Sequence, residues 1–94
     1  MELEWDERKR RLNLTKHGID FAVVERMFEG RVVERTDVRH DYGERRIIAY
    51  GEVDRLILTI IYTKRNDALR IISARRARRD ERKDYLAQTQ NPGS

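Results

Sequence analysis

An apolar strand pattern runs directly into an arginine-rich helix pattern between Leu69 and Tyr85. The guanidinium group of arginine presents a planar fork of donors that matches the oxygens of a phosphate. Several such groups at the junction of a strand and a helix predict a binding site for a polyanion, with nucleic acid as the expected ligand. The alternative is a solvated helix face, because Asp80, Glu81 and Asp84 lie among the arginines.

The positive charge is concentrated in the C-terminal third of the chain. The formal net charge is +4 over 94 residues. Residues 1–63 contain 12 Lys or Arg and 13 Asp or Glu, for a charge of −1, whereas residues 64–94 contain 9 and 4, for +5. This asymmetry indicates a surface for nucleic acid or for an acidic protein segment.

The high content of charged residues limits the hydrophobic core. Since 40% of all residues are charged, the core must be thin, which favours an obligate complex.

Histidine and tyrosine are the main residues outside the carboxylates that could transfer protons. RNA cleavage without a metal needs a base for the 2′-hydroxyl, cations for the phosphate and an acid for the departing 5′-oxygen. The only histidines are His17 and His40. His17 follows Lys16 at a predicted helix end, where the neighbouring cation lowers its pKa and the helix dipole raises it, so either direction is open. The alternative to catalysis is a structural role, with His17 bonding the last helix carbonyls.

Several classes of site lack the residues that they need. The chain has no cysteine, which excludes disulfides, thiolate nucleophiles and cysteine-ligated zinc. Its glycines lack phosphate-loop spacing and no serine-centred hydrolase motif occurs, so we predict no cofactor and no metal site, with carboxylate-bound magnesium left open. No apolar run reaches the roughly 18 residues of a transmembrane helix, and the amino terminus has no secretory pattern, so we expect a cytoplasmic protein.

The N-terminal third predicts a strand followed by two helices. Residues 3–5 alternate apolar and acidic side chains as a short strand does, and Asp6 is expected to cap a helix over 7–16. Gly18 is the expected left-handed residue that ends this helix. A second helix is expected to follow directly, with Asp20 as its N-cap and Gly30 as the residue that stops it. The two helices would form an αα-hairpin.

The rest of the chain predicts a run of antiparallel strands and a last helix. The run 56–62 is apolar on both faces and rich in β-branched residues, so we predict that it is the central strand. Ser73 is expected to cap a helix that begins at Arg75 or Arg76 and ends at Gln88. Further strands are expected from Val32 and over 46–51 and 69–74, with turns at 40–43, 52–54 and 64–67. The fold class is therefore α+β, an antiparallel sheet with an N-terminal αα-hairpin and a C-terminal helix, in one domain over 1–88 with a disordered tail over 89–94.

Hairpin geometry separates the arginines into two groups. If the last two predicted strands are paired, Arg65 lies near their turn and Arg75 lies at the opposite end. Arg45 and Arg46, at the start of the preceding strand, then lie closer to Arg65 than to Arg75. A single site that unites all of these arginines is therefore not expected.

Five short motifs, taken in order, resemble the BrnT family and together cover about residues 3–85. They are Leu3-Glu-Trp-Asp6, Asn13-Leu14-x-Lys16-His17-Gly18-Ile-x-Phe21, Glu44-Arg45, Tyr62-Thr63-x-Arg65 and Arg70-Ile-Ile-Ser-Ala-Arg-Arg-Ala77. One departure is Arg46, because the family usually has an aromatic residue after Glu-Arg. The stacking contact expected at that position is therefore in doubt.

The resemblance implies the toxin of a type II toxin–antitoxin pair, a small endoribonuclease of the bacterial cytoplasm with a RelE-like α+β fold. The toxin would cleave RNA without a metal, by 2′-hydroxyl attack, and so inhibit translation and growth. The implied partner is a cognate BrnA-type antitoxin with a DNA-binding domain. Toxin and antitoxin would form a hetero-oligomer that represses its own operon, so that DNA is reached only through the antitoxin.

The resemblance also implies site residues, which are carried over position by position. The implied catalytic residues are His17, Arg75, Arg76 and Tyr85, and the implied RNA-binding residues are Lys16, Arg45, Arg65 and Arg70. RelE-like enzymes rely on Arg, Lys and Tyr more than on paired histidines, so electrostatic stabilisation would dominate. The alternative function is a non-catalytic basic module that acts through its antitoxin and operator complex.

Overall fold

A five-stranded β-sheet with helices on both of its faces organises the chain. The computed structural model describes residues 1–39 and 41–90. The strands are β1 Glu2–Glu4, β2 Val33–Asp37, β3 Arg46–Val53, β4 Leu56–Arg65 and β5 Ala68–Arg76, and the helices are α1 Glu7–His17, α2 Val23–Met27 and α3 Arg79–Thr89. The strand order across the sheet is β1-β5-β4-β3-β2. The predicted α+β class is confirmed.

Strand β4 is the central strand, as its sequence predicts. It pairs antiparallel with β3 on one side and with β5 on the other. At one edge, however, β1 pairs parallel with β5, so the sheet is mixed rather than wholly antiparallel. A strand of three residues carries no sequence pattern that reveals its direction, which is why this pairing was not predicted.

Side-chain alternation along the strands divides the core between the two faces of the sheet. On the face that α1 and α2 cover, here called the α1/α2 face, Phe21 and Met27 pack against strand residues such as Ile60. On the opposite face, here called the α3 face, Tyr85 of α3 packs against Tyr50. The cluster on the α3 face is the smaller one because α3 has few apolar residues.

Helix α1 begins where the sequence predicts and ends one residue later. The carboxylate of Asp6 accepts hydrogen bonds from the amides of Arg8 and Lys9, at 2.9 and 3.2 Å. Gly18 follows the last helical residue with a φ of 71°, a left-handed conformation that glycine adopts without steric cost. Local capping signals therefore set both ends of this helix.

The second helix is shorter than predicted. It covers Val23–Met27 rather than the whole stretch between the Asp20 cap and Gly30, because Asp20 forms a turn in which its carboxylate accepts from the amide of Ala22 at 3.0 Å. A helix of five residues depends on packing rather than on helix propensity. The predicted αα-hairpin is not confirmed, since α1 packs on β5 whereas α2 packs on β3.

The junction between the last strand and the last helix lies farther along the chain than predicted. Strand β5 continues to Arg76 because its backbone stays paired with β4 as far as Leu58. Arg75 and Arg76 are thus strand residues, and Ser73 caps no helix. Helix α3 begins only at Arg79. Tertiary hydrogen bonding of the strand has outweighed the local capping signal.

The two hairpin turns are tighter than predicted. Strands β3 and β4 are joined by Asp54 and Arg55 alone, and β4 and β5 by two residues at 66–67. The predicted turns 52–54 and 64–67 therefore contain strand residues, because ladder hydrogen bonds continue almost to the tips. The predicted turn at 40–43 and the predicted tail each lie partly outside the described residues, at residue 40 and at 91–94.

The RelE-like assignment and the single domain over 1–88 stay predictions. Both are consistent with one sheet and its helices. Within the described residues, no helix has the length and apolar character that crossing a membrane requires.

Candidate functional site

Basic side chains from four parts of the fold meet at the end of the sheet where β5 stops. On one side, His17 lies close enough to Lys16 and Arg75 to feel their charges, and on the other Arg55, Arg76 and Arg82 line one cavity. We call these six residues the strand-end cluster. Arg76 pairs with Leu58 of β4. Leu58 lies only three residues after Arg55, so Arg55 and Arg76 belong to the same end of the sheet. Helix α1 and helix α3 approach the same end from the two faces of the sheet, so the cluster is a product of tertiary structure.

Asn13 attaches the end of α1 to β5. Its buried side-chain amide donates to the carbonyl of Ala74 at 2.7 Å, and its amide oxygen accepts from the Ala74 backbone amide at 3.2 Å. His17 follows Asn13 by four residues, so both side chains lie on the same side of α1. The imidazole is therefore held near the end of β5, where the charge of Arg75 acts on it.

The surroundings of His17 keep its imidazole neutral at physiological pH. Burial lowers the pKa of His17, and the positive charges of Lys16 and Arg75 lower it further. The sequence leaves open whether the neighbouring cation or the helix dipole prevails at His17. In the structure the pKa of His17 is lowered, as the cation requires. A neutral imidazole can accept a proton, as a general base must.

Arg75 is engaged by a carboxylate of α3. Its Nη1 and Nη2 donate to Oε1 and Oε2 of Glu81 at 2.7 and 3.0 Å. Glu81 also accepts from the hydroxyl of Thr59 at 3.1 Å and from the amide of Arg78 at 2.8 Å. Burial by itself would raise the pKa of Glu81, but the bonds from Arg75 and Arg78 outweigh it and lower the pKa to about 2. Arg75 is therefore occupied rather than free to bind a phosphate.

Arg76 lines a cavity together with two other arginines. The cavity has a volume of about 270 Å³ and is lined by Arg55, Arg76 and Arg82 with Leu56, Ile57 and Ala77. Within residues 1–39 and 41–90, none of these three guanidinium groups forms an ion pair. We call this cavity the three-arginine pocket. Unlike Arg75, its arginines can accept an anionic ligand.

Tyr85 lies in the core and away from the strand-end cluster. Its side chain is 6% exposed and its ring packs against Ile48 and Tyr50. The hydroxyl donates to the carbonyl of Arg31 at 3.0 Å. Burial raises the pKa of Tyr85, and the charge of Glu52 raises it further. The structure does not bring this hydroxyl to His17.

Arg45 and Arg65 lie at the opposite end of the sheet, as the hairpin geometry predicts, and Arg70 lies at that end as well. Arg65 ends β4 at the turn to β5, and the carbonyl of Arg45 accepts from the hydroxyl of Thr63 at 2.7 Å. Arg70 lies 3.8 Å from the carboxylate of Glu4. These three residues, here called the distal patch, are separated from the strand-end cluster by most of the length of β4 and β5.

Arg46, the position at which the sequence departs from the family pattern, lies against an aromatic ring of this chain. The guanidinium group of Arg46 lies 3.8 Å from the centre of the Tyr42 ring, and its Nε lies 3.2 Å from the carboxylate of Glu44. The aromatic ring comes from the preceding loop rather than from position 46. Arginine on an aromatic face gains a cation–π interaction, so this contact holds the Arg46 side chain against the Tyr42 ring.

Three residues of the strand-end cluster and its support are not among the site residues that the sequence predicts, namely Arg55, Arg82 and Glu81. The pair Asp54-Arg55 lacks the glycine that marks a two-residue hairpin turn, so the turn was placed one residue early. Glu81 occupies the position at which an acid completes a capping box, but the N-cap is Arg78 and not one of the usual capping residues. The one sequence feature that indicates a capping role for Glu81 is its position three residues after Arg78.

The strand-end cluster combines a group that can accept a proton with groups that can stabilise negative charge. Among the described residues, no set of three or more His, Cys, Asp or Glu is placed to hold a metal ion. The chemistry that these side chains can perform is proton transfer next to a bound anion, and a phosphodiester is the anion that suits guanidinium groups.

Comparison with known proteins gives the family. A family model described as ribonuclease toxin, BrnT, of type II toxin–antitoxin system matches residues 5–81. No curated protein matches the chain. The match spans most of the chain, including His17, Arg55, Arg75 and Arg76, and it ends at Glu81, the acid that binds Arg75. The resemblance carried by the sequence motifs is confirmed, and the chain belongs to the BrnT family of ribonuclease toxins of type II toxin–antitoxin systems.

Proposed function

We propose that this toxin is a metal-independent endoribonuclease whose active site is the strand-end cluster, and that it inhibits translation and growth by cleaving RNA. The observation that carries the proposal is the position of His17, whose pKa is lowered by burial and by the charges of Lys16 and Arg75, at the end of the sheet where Arg55, Arg76 and Arg82 line one cavity. Cleavage of RNA at its own 2′-hydroxyl requires a base and a phosphate-binding group in one place.

In the proposed reaction, His17 accepts the proton of a ribose 2′-hydroxyl. The 2′-oxygen forms a bond to the adjacent phosphorus while the bond from phosphorus to the 5′-oxygen breaks. The departing 5′-oxygen takes a proton from Lys16 or from water. The products are a 2′,3′-cyclic phosphate and a 5′-hydroxyl, so atoms and charge balance without a metal or a cofactor.

The cations have different roles in this proposal. Arg76 stabilises the charge that develops on the phosphate, since no carboxylate within residues 1–39 and 41–90 forms an ion pair with it. Arg75 contributes its charge from within its pair with Glu81, and this charge also lowers the pKa of His17. Tyr85 is left out of the chemistry because its hydroxyl is buried and bonded. The distal patch would hold the RNA strand farther along the sheet.

The partner in the proposal is a BrnA-type antitoxin with a DNA-binding domain, and the setting is the bacterial cytoplasm. The net charge of +5 over residues 64–94 supports a partner with an acidic segment that competes with RNA for the basic end of the sheet. DNA would then be bound by the antitoxin in a hetero-oligomeric complex.

The test is cleavage of a short RNA by the purified toxin, free of antitoxin, in the presence of EDTA. We expect products with 2′,3′-cyclic phosphate or 3′-phosphate ends, and a loss of about 10²–10⁴-fold in rate for His17→Ala. A matched control is Arg8→Ala, an exposed arginine in the first turn of α1, which should cleave at the wild-type rate. Intact RNA, both naked and on translating ribosomes, would contradict the proposal.

The alternative of a non-catalytic binding module makes a different prediction for the same variants. If His17→Ala or Arg76→Ala abolishes growth inhibition while antitoxin binding is retained, catalysis is supported. If these variants lose antitoxin binding and cleavage was never present, the module is supported. Both outcomes can be measured with one pull-down and one growth assay.

A further inference from the structure

The three-arginine pocket joins cations to an apolar wall. We propose that it binds one nucleotide unit of RNA, with the phosphate on the guanidinium groups of Arg55, Arg76 and Arg82 and the ribose or base against Leu56 and Ile57. The inference rests on the proposed function for its natural ligand, RNA. Binding of a nucleotide in the pocket does not itself require cleavage, so the two can be tested apart.

Arg55 occupies a backbone conformation that favours glycine. Its φ is 70° and that of Asp54 is 50°, in a two-residue hairpin turn where glycine is usual at the second position. The carboxylate of Asp54 accepts from Arg26 at 2.7 Å, which ties this turn to α2. A strained residue whose side chain lines a cavity points to a function of that side chain.

Arg76 and Arg82 are brought to the pocket by the residues that precede them. Arg75 of β5 and Glu81 of α3 form the buried ion pair. Arg76 is the residue after Arg75, and Arg82 is the residue after Glu81. Because the ion pair fixes the first turn of α3 against the end of β5, the next residue on each element reaches the same cavity. Both arginines are exposed, so a ligand can reach them without a conformational change.

The composition of the wall favours a nucleotide over a bare anion. Among the described residues, no acid lines the three-arginine pocket, whereas each of the three cavities lined by Lys64 includes an acid, namely Glu2 and Asp67, Glu44, or Glu34. Leu56 is 38% exposed and, with Ile57, offers an apolar surface next to the arginines. Inorganic phosphate would use only the cations, whereas a nucleotide would use both parts of the wall.

The test is a titration of the full-length ¹⁵N-labelled toxin with adenosine 5′-monophosphate, adenosine or inorganic phosphate, followed by NMR. We expect adenosine 5′-monophosphate to shift the amide signals of Arg55, Leu56 and Ala77, and to bind about tenfold more tightly than either of the other two probes. If adenosine 5′-monophosphate binds no more tightly than inorganic phosphate, Leu56 and Ile57 contribute nothing to binding. That result overturns the proposal that the pocket binds a nucleotide.

The decisive variant is Arg55→Gly, because it removes the cation and relieves the backbone together. We expect its affinity for adenosine 5′-monophosphate to fall about tenfold while Tm does not fall. The control Arg8→Ala should bind as the wild type does. Wild-type affinity in Arg55→Gly overturns the inference. Nucleotide binding by a toxin that cleaves no RNA would instead uphold the pocket and contradict the proposed function.

Discussion

Arg75 of β5 and Glu81 of α3 form a doubly hydrogen-bonded ion pair, with side chains only 14% and 7% exposed. The pair lies where the sequence suggests a phosphate ligand, at the end of the last strand. Its carboxylate is satisfied further by Thr59 and by the amide of Arg78. The ion pair therefore anchors α3, a helix with few apolar residues, to the sheet.

Replacing Glu81 by glutamine should destabilise the fold markedly, because it leaves the charge of Arg75 partly buried without a counter-charge. We expect a loss of about 3 kcal/mol in the free energy of unfolding, measured by urea denaturation. The control Asp80→Asn, an exposed acid in the same helical turn, should change stability by less than about 0.5 kcal/mol. Equal stability of both variants would show that the ion pair is not an anchor.

The same ion pair should make the stability of the fold depend on acid. The pKa of Glu81 is lowered from its ordinary value of 4.5 to about 2, so its contribution is full above about pH 4.5 and is lost as the pH falls toward 2. The difference in unfolding free energy between the wild type and Glu81→Gln should shrink by up to about 3 kcal/mol over this window. A difference that stays constant from pH 6 to pH 2.5 would contradict this assignment.

Cleavage should increase with pH and then level off, with its acid limb at lower pH than an unperturbed imidazole would give. Burial and the charges of Lys16 and Arg75 lower the pKa of His17, which favours the basic form that a general base needs. The rate under single-turnover conditions is expected to fall in acid with a midpoint below about pH 6.5, the ordinary imidazole value. Lys16→Ala should move the fall toward higher pH, and an unmoved profile would remove Lys16 from the surroundings of His17.

Replacing Asn13 by alanine should cost both stability and activity. Its amide group bonds the backbone of Ala74 twice and the carbonyl of Ile19 once, at 2.9 Å. The loss of these bonds leaves buried backbone groups unpaired, which costs about 2–3 kcal/mol, and it frees the end of α1 that carries His17. Urea denaturation and the cleavage assay check the two effects, with the exposed Thr15→Ala as the control. Full cleavage activity in a folded Asn13→Ala variant would refute the positioning role.

Gly51→Ala should be destabilising because the added methyl group collides with the side chain of Met27. Overpacking of this kind costs about 1–3 kcal/mol. In a Met27→Ala background the collision is gone, so the same substitution should cost less than about 0.5 kcal/mol. A double-mutant cycle of unfolding free energies measures the difference, and strict additivity would contradict the collision.

Local signals were sufficient for some elements and insufficient for others. The Asp6 cap, Gly18 and the β-branched run of β4 are properties of short segments, so α1 and the central strand were predicted from sequence. The end of β5 depends on backbone pairing with β4, and the length of α2 depends on the turn at Asp20 and on packing. Those boundaries were misplaced because their competing local signals, Ser73 among them, are overridden by tertiary contacts.

For the candidate site, the sequence by itself determined the chemistry that is available and the family to which the chain belongs. Arginine content, the two histidines and the absence of cysteine are matters of composition, and hairpin geometry separates Arg65 from Arg75. Only the tertiary structure decided which of two neighbouring arginines is free. Strand alternation sends Arg75 to the carboxylate of Glu81, whereas Arg76 reaches the pocket with Arg55 and Arg82. These contacts join residues far apart along the chain, and no local pattern encodes them.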